Sequence, residues 1–202
     1  MGYTCGAITI APYELVDRYG ARGPLVIGPT IAAIGFAGFA VPGVGGSYWT
    51  QYFPAVLLLG FGMSISVAPL TTTVMNAVDQ GVGGAASGVN NAVSRTAALL
   101  AIAIFGIVMN LAFNASLDRQ LKGMTMAPDK LHKVVVQRAK LAAIALPAEA
   151  SEQERVALKS AIDQSYISGF RWVMGLSASL ALGSALSAWL LIGRPPQDGQ
   201  QA

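Results

Sequence analysis

Between Arg22 and Asp79 the chain carries no Asp, Glu, Lys or Arg, a tract of 56 residues spanning 23–78. Water-soluble domains rarely leave so much sequence uncharged, whereas the hydrocarbon of a bilayer demands it. One crossing helix needs roughly 20 apolar residues, so this tract is long enough to cross, turn and return. Two further charge-free tracts, 96–117 and 172–193, are each about one crossing long. Of the 23 charged residues, 14 fall between positions 118 and 163. The pattern is that of an all-α polytopic membrane protein with about four transmembrane helices and one polar, helical excursion.

Composition closes off other classes. Charged residues make up 11% of the chain, where soluble proteins run near 25%, and mean hydropathy is +0.54. A net charge of +3 does not make a nucleic-acid binder, because basic and acidic residues alternate instead of forming a stripe. Cys5 is the only cysteine, so no intrachain disulfide can form. No Lys/Arg-rich start precedes an apolar core, so the N-terminus does not read as a cleavable signal.

The order along the chain follows from these tracts. Residues 1–23 comprise an apolar stretch too short to cross, read as the end of a span that begins upstream, and a polar turn over 14–22. Three spans are expected within 24–113, at about 24–43, 53–77 and 86–113. Tyr48, Trp49 and Tyr52 fall where an aromatic belt meets headgroups. Pro69 lies inside the second span, and neighbouring hydroxyls are expected to serve the carbonyl it frees. The excursion covers 114–166, with Leu131, Val134, Val135, Ala139 and Ala142 approximating a helical stripe. Ser151 with Glu154 reads as a capping box opening a helix that continues into the last span, 167–193. Arg194-Pro195-Pro196 ends that helix, and 194–202 forms a tail.

Some residues inside this frame point to function. Helices in lipid gain no hydrophobic drive to associate, so close packing needs small side chains at spacing four. Ser179, Gly183 and Ser187 supply such a stripe beside Ala181 and Ala185, and Gly28, Ala32, Gly35 and Gly38 supply another. Either stripe serves helix packing or touches a substrate. Ser64, Ser66, Thr71, Thr72, Thr73 and Asn76 make the second span polar on one side, which lines a cavity or bonds back to its own helix. Asn90, Asn91 and Arg95 open the third span. They form either a buried network at an inner gate or a helix end reaching the headgroups. His132 has no partners at ligand spacing, so no metal and no cofactor is expected. No catalytic triad, carboxylate pair or phosphate loop appears.

The turn over 14–22 resembles the signature loop of the major facilitator superfamily, G-x-L-x-D-R-x-G-x-R. Leu15, Asp17, Arg18, Gly20 and Arg22 match, and Tyr13 stands in place of the first glycine. An Asp at a helix start beside an Arg makes a latch that favours one conformation. The stretch APLTTTVMNAVDQGVGGAASGVNNAVSRTAALLAIAIFG resembles the fourteen-helix drug–proton antiporter branch of that superfamily (EmrB/QacA type), as does the polar excursion before the last span.

The resemblance maps the chain onto the last four helices of a transporter about two and a half times longer. It implies a C-terminal segment of a proton-coupled multidrug efflux transporter, in the cell membrane, moving amphipathic small molecules. Asp17, Arg18, Gly20 and Arg22 would form the latch, and Ser64, Asn76, Asn90, Asn91 and Arg95 the cavity and inner gate. It also implies a cytoplasmic 14–22 turn and C-terminus, where the positive-inside rule alone gives a divided answer. No Asp or Glu lies inside the four tracts, so the proton carrier is expected in N-terminal helices supplied from elsewhere. Two alternatives stand beside this. One is a non-transporting membrane protein that associates with a full-length partner through its small-residue faces. The other is a small exporter assembled from four-span units.

Overall fold

The computed structural model describes residues 22–45, 47–76, 83–124, 126–147 and 149–192, without the side chains at 68, 72 and 74–76. Asp17, Arg18 and Gly20 of the expected latch lie outside these residues. In chain order the helices are α1 (Arg22–Phe39), the single turn α2 (Tyr48–Gln51), α3 (Phe53–Asn76), α4 (Gly83–Lys122), α5 (Pro128–Val136) and α6 (Glu152–Leu191). A 3₁₀ segment, Arg138–Ala143, lies between α5 and α6. The fold is all-α, and α1, α3, α4 and α6 are long and apolar enough to cross a membrane.

Helix length divides the molecule into layers. At about 1.5 Å per residue α1 is about 27 Å long and α3 about 36 Å, close to one hydrocarbon thickness. The 40-residue helices α4 and α6 reach about 60 Å each, so half of each must project beyond the lipid. Their projecting halves are the charged ones and carry the excursion between them.

α1 lies between α3 and α6. Its contact with α3 is backbone on backbone. A Cβ on Gly28 would clash with Ser66 Oγ and sit 2.9 Å from the Gly62 carbonyl oxygen. A Cβ on Gly35 would sit 2.9 Å from the Leu59 nitrogen, and one on Gly62 2.6 Å from the Ala32 nitrogen. Only hydrogen fits at these three places, which is how small residues let helices close in lipid. At the far end of this pair, α2 and its flanks stack aromatics: Phe39 on Tyr52 at 6.4 Å, Tyr48 on Tyr52 at 6.2 Å and Trp49 on Phe53 at 5.1 Å.

α6 meets α1 through the face carrying Ser177 and Ala185, both buried. It meets α4 only toward the projecting end, where a Cβ on Gly169 would come within 3.1 Å of the Met109 carbonyl oxygen. Below that crossing α4 becomes progressively open, and Gly88–Leu100 is exposed at every residue.

The projecting halves fold into a cap with its own core. Phe113, Leu117 and Leu121 of α4, Val134 of α5, Ile144, and Leu158 and Ile162 of α6 are buried together. The expected stripe over 131–142 holds for Leu131, Val134 and Val135 and then fails. α5 ends at Val136, and Leu141 takes a left-handed backbone (φ 51°) that swings the chain round. Ala139 and Ala142 are therefore exposed, and Leu141, Ile144 and Leu146 supply the apolar contacts instead. The capping box at the start of α6 is formed: Ser151 Oγ accepts from the Glu154 amide at 3.3 Å, and Glu154 Oε2 accepts from the Ser151 amide at 2.7 Å.

The α1–α3 contact gives a direct test. Replacing Gly62 with Leu forces the two backbones apart and is expected to cost at least the ~1–3 kcal/mol typical of overpacking. Gly60, two residues away, has open space where its Cβ would stand. Thermal melts in detergent should show Gly62→Leu strongly destabilised and Gly60→Leu close to wild type.

Candidate functional site

Three groups of side chains were singled out by the sequence, and the structure treats them differently. Arg22, the last residue of the expected latch, opens α1. Its guanidinium donates to the Trp189 carbonyl oxygen at 2.6 Å, and its Cζ stands 5.4 Å from the centroid of the Trp189 ring. It is thus engaged with the end of α6.

The cavity and gate residues are spread over two helices. Ser64 is exposed on α3, and Asn90, Asn91 and Arg95 are exposed on α4. Asn76 closes α3, and its side chain lies outside the described residues. Among the described residues no hydrogen bond joins Ser64, Asn90, Asn91 and Arg95 to one another. Asn91 and Arg95 share a face because they are four residues apart, and Asn90 lies about 100° round the helix. The face of α4 is thus polar near its first turns and apolar beyond, and it is exposed from Gly88 to Leu100 among the described residues.

The hydroxyls along the spans bond inward. Ser66 donates to the Gly62 carbonyl at 2.7 Å, Thr71 to Val67 at 3.1 Å and Thr73 to Pro69 at 2.8 Å. Each satisfies its hydrogen with the carbonyl four residues earlier and leaves its lone pairs available. Ser66 also fills the space opposite Gly28, so it belongs to the α1–α3 contact and not to a cavity wall.

The packing stripe lies on an open face. Ser179, Gly183 and Ser187 are exposed, and the space around Gly183 is empty. Ser179 and Ser187 donate to the Gly175 and Gly183 carbonyls, each at 2.9 Å. The stripe used inside this chain is the neighbouring one, Ser177, Ala181 and Ala185. Two residues of offset turn it about 200° away around the helix axis.

Sequence reading placed Arg22 in the latch but missed its partner on α6, and it missed Arg171 altogether; together the two tie the crossing half of α6 to α1. Arg171 donates to the Val41 carbonyl at 3.2 Å and the Pro42 carbonyl at 3.4 Å, just beyond the end of α1. Both partners are main-chain oxygens more than a hundred residues away, so no motif announces them.

Charge is concentrated in the cap, where three ion pairs form among the described residues. Lys130 bonds Glu154 at 2.7 Å, Lys133 bonds Glu149 at 2.7 Å, and Arg138 grips both oxygens of Asp118. The ammonium of Lys133 holds the Glu149 carboxyl below its ordinary value. Lys130, joined by the Ser151 amide, does the same for Glu154. Among the described residues no group of His, Cys, Asp and Glu could hold a metal ion.

The sequence model of the Major Facilitator Superfamily matches residues 2–102, half of the chain. The match covers α1, α3 and the exposed half of α4, and stops short of the cap. No curated protein matches the chain. No solved structure matches it either.

The paired carboxylates set a pH dependence. Because their folded pKa values are depressed, the unfolded chain takes up protons more readily. Their stabilisation is complete above about pH 5 and lost as pH falls through the folded values, below the ordinary 4.5. Carboxyl ¹³C titrations should place the Glu149 and Glu154 midpoints below 4.5 in the folded protein. Lys130→Met should raise the Glu154 midpoint and leave that of Glu149 nearly unmoved, since Lys130 contributes least there.

Proposed function

The chain belongs to the major facilitator superfamily, a family of membrane transporters and not of enzymes, and on that premise we propose that it is the C-terminal segment of a proton-coupled multidrug efflux transporter. It would act in the cell membrane on amphipathic small molecules, together with helices that it does not itself contain. The observation that carries this reading is the face of α4. Asn90, Asn91 and Arg95 lie exposed near the start of a helix that is apolar beyond them. Amide and guanidinium groups are costly against acyl chains and belong against protein or water. Further helices meeting that face would enclose a wet passage with Ser64 and Asn76 on its other wall.

In this reading Asn90, Asn91 and Arg95 form the inner gate and offer donors to a polar substrate group. The apolar remainder of α4, with the exposed Met63 of α3, accommodates varied apolar bodies. Asp17, Arg18, Gly20 and Arg22 bias the gate as a latch. Alternating access needs two bundles rocking about a site near the midplane, which the partner helices would complete. They would also bring the carboxylate that carries the proton, since the spans here contain none.

A second reading rests on the open face of α6. Ser179, Gly183 and Ser187 would dock on a full-length transporter, with this chain moving nothing itself. Changing all three to Leu should then abolish co-purification of the partner while transport persists.

The transport reading is tested by drug accumulation in cells. The chain alone is expected to give no efflux. Co-expression with the N-terminal helices of a matching transporter should restore it, and Arg95→Ala in that pair should reduce efflux at least about tenfold, the scale of one lost buried charge–dipole contact. Efflux that is unaffected by Arg95→Ala and Asn91→Ala would contradict the gate assignment.

A further inference from the structure

Two arginines tie α1 to the crossing half of α6, one at each end of that half. Arg22 stands at the start of α1 and binds a carbonyl in the last turn of α6. Arg171 stands where α6 leaves the cap and binds the two carbonyls that follow the end of α1. The last carbonyls of any helix have no amide partner within it. They are also the negative end of the helix dipole, where a cation is favoured. In a soluble protein water completes them, whereas in a spanning helix that end sits close to lipid.

The spacing makes the arrangement match a membrane. Arg22 and Val41 are 19 residues apart and Arg171 and Trp189 are 18, which at about 1.5 Å per residue places the two guanidinium groups about 27 Å apart. That is close to the ~30 Å hydrocarbon core, so both charges can reach the interfaces while the stretch between stays neutral. The Trp189 ring beneath Arg22 adds a cation–π contact and an amphipathic anchor at one interface.

We propose that Arg22, on a last-turn carbonyl of α6, and Arg171, on the two carbonyls of the chain just past α1, are reciprocal clamps that hold α1 and α6 as one antiparallel strut and fix its register to the bilayer. The strut carries α3 through the glycine contact and carries the cap through the unbroken length of α6. α4 is then the long helix outside it, packed on α6 around Gly169 and exposed from Gly88 to Leu100. Arg22, the final residue of the expected latch, is committed to the end of α6. This assignment requires the fold alone and stands or falls independently of what is transported.

The test is hydrogen–deuterium exchange of the whole chain in lipid nanodiscs. Arg22→Gln is expected to speed exchange of amides in 186–192, at the opposite helix end, about fivefold, in the range for a charge at a helix C-terminus. It should leave 36–42 unchanged. Arg171→Gln should do the reverse. Trp189→Leu, which keeps the carbonyl and removes the ring, should give a smaller increase over the same 186–192 amides. If the Gln variants are not recovered folded, Arg22→Lys and Arg171→Lys carry the same reading, because one ammonium neither stacks on Trp189 nor spans two carbonyls. Unchanged exchange at both opposite ends would overturn the proposal, as would acceleration confined to the helix bearing the substitution.

Discussion

The direct touch of two backbones, α1 on α3, is what the rest of this structure depends on. Lipid gives apolar side chains no reason to leave it, so burying Leu against Leu contributes little. What remains is dispersion at very short range, and that needs surfaces with nothing protruding. Gly28, Gly35 and Gly62 provide them, with Ala32 and Ala33 filling the neighbouring space. Once α1 is seated there, its other face is free for Ser177 and Ala185 of α6. The long apolar side chains Ile27, Ile34, Leu57 and Leu58 are left to the lipid.

The cap obeys the opposite rule. Outside the bilayer, water drives apolar residues together, and the buried cluster around Phe113, Leu117, Val134 and Leu158 resembles the core of a small soluble domain. α4 and α6 pass from one regime to the other without interruption. Charge changes with the solvent: neutral along the crossing, then paired as Lys130 with Glu154 and Arg138 with Asp118. The two 40-residue helices are therefore one covalent link between a lipid-packed half and a water-packed half.

How far the sequence spoke depended on how strongly each solvent constrains it. Crossing segments were legible because hydrocarbon tolerates no charge, and the charge-free tracts end near the helix ends that cross. The capping box was legible because both of its partners sit within three residues. The glycine contact was half legible: Gly28, Ala32 and Gly35 stood out by spacing, whereas Gly62 and Ser66, their counterparts on α3, did not. The α6 stripes were ambiguous in principle, since Ser179-Gly183-Ser187 and Ser177-Ala181-Ala185 are equally small. Only the three-dimensional register picks the second for α1. The acceptors of the arginine clamps left no trace, because a main-chain carbonyl looks the same at every residue, and Arg22 stood out only as part of the expected latch. Asn90, Asn91 and Arg95 stay where spacing put them on α4, exposed and unjoined to one another.

The account as a whole rests on four helices threading a bilayer with the cap on one side and the α1 start on the other. Cysteine accessibility in a Cys5→Ser background tests that most directly. Lys140→Cys lies in the cap, and Gly84→Cys lies at the opposite end of α4, with open space around it. In right-side-out vesicles an impermeant maleimide should label Lys140→Cys at once and Gly84→Cys only after the membrane is opened. Equal labelling of both before permeabilisation, or labelling of Gly84→Cys first, would contradict it.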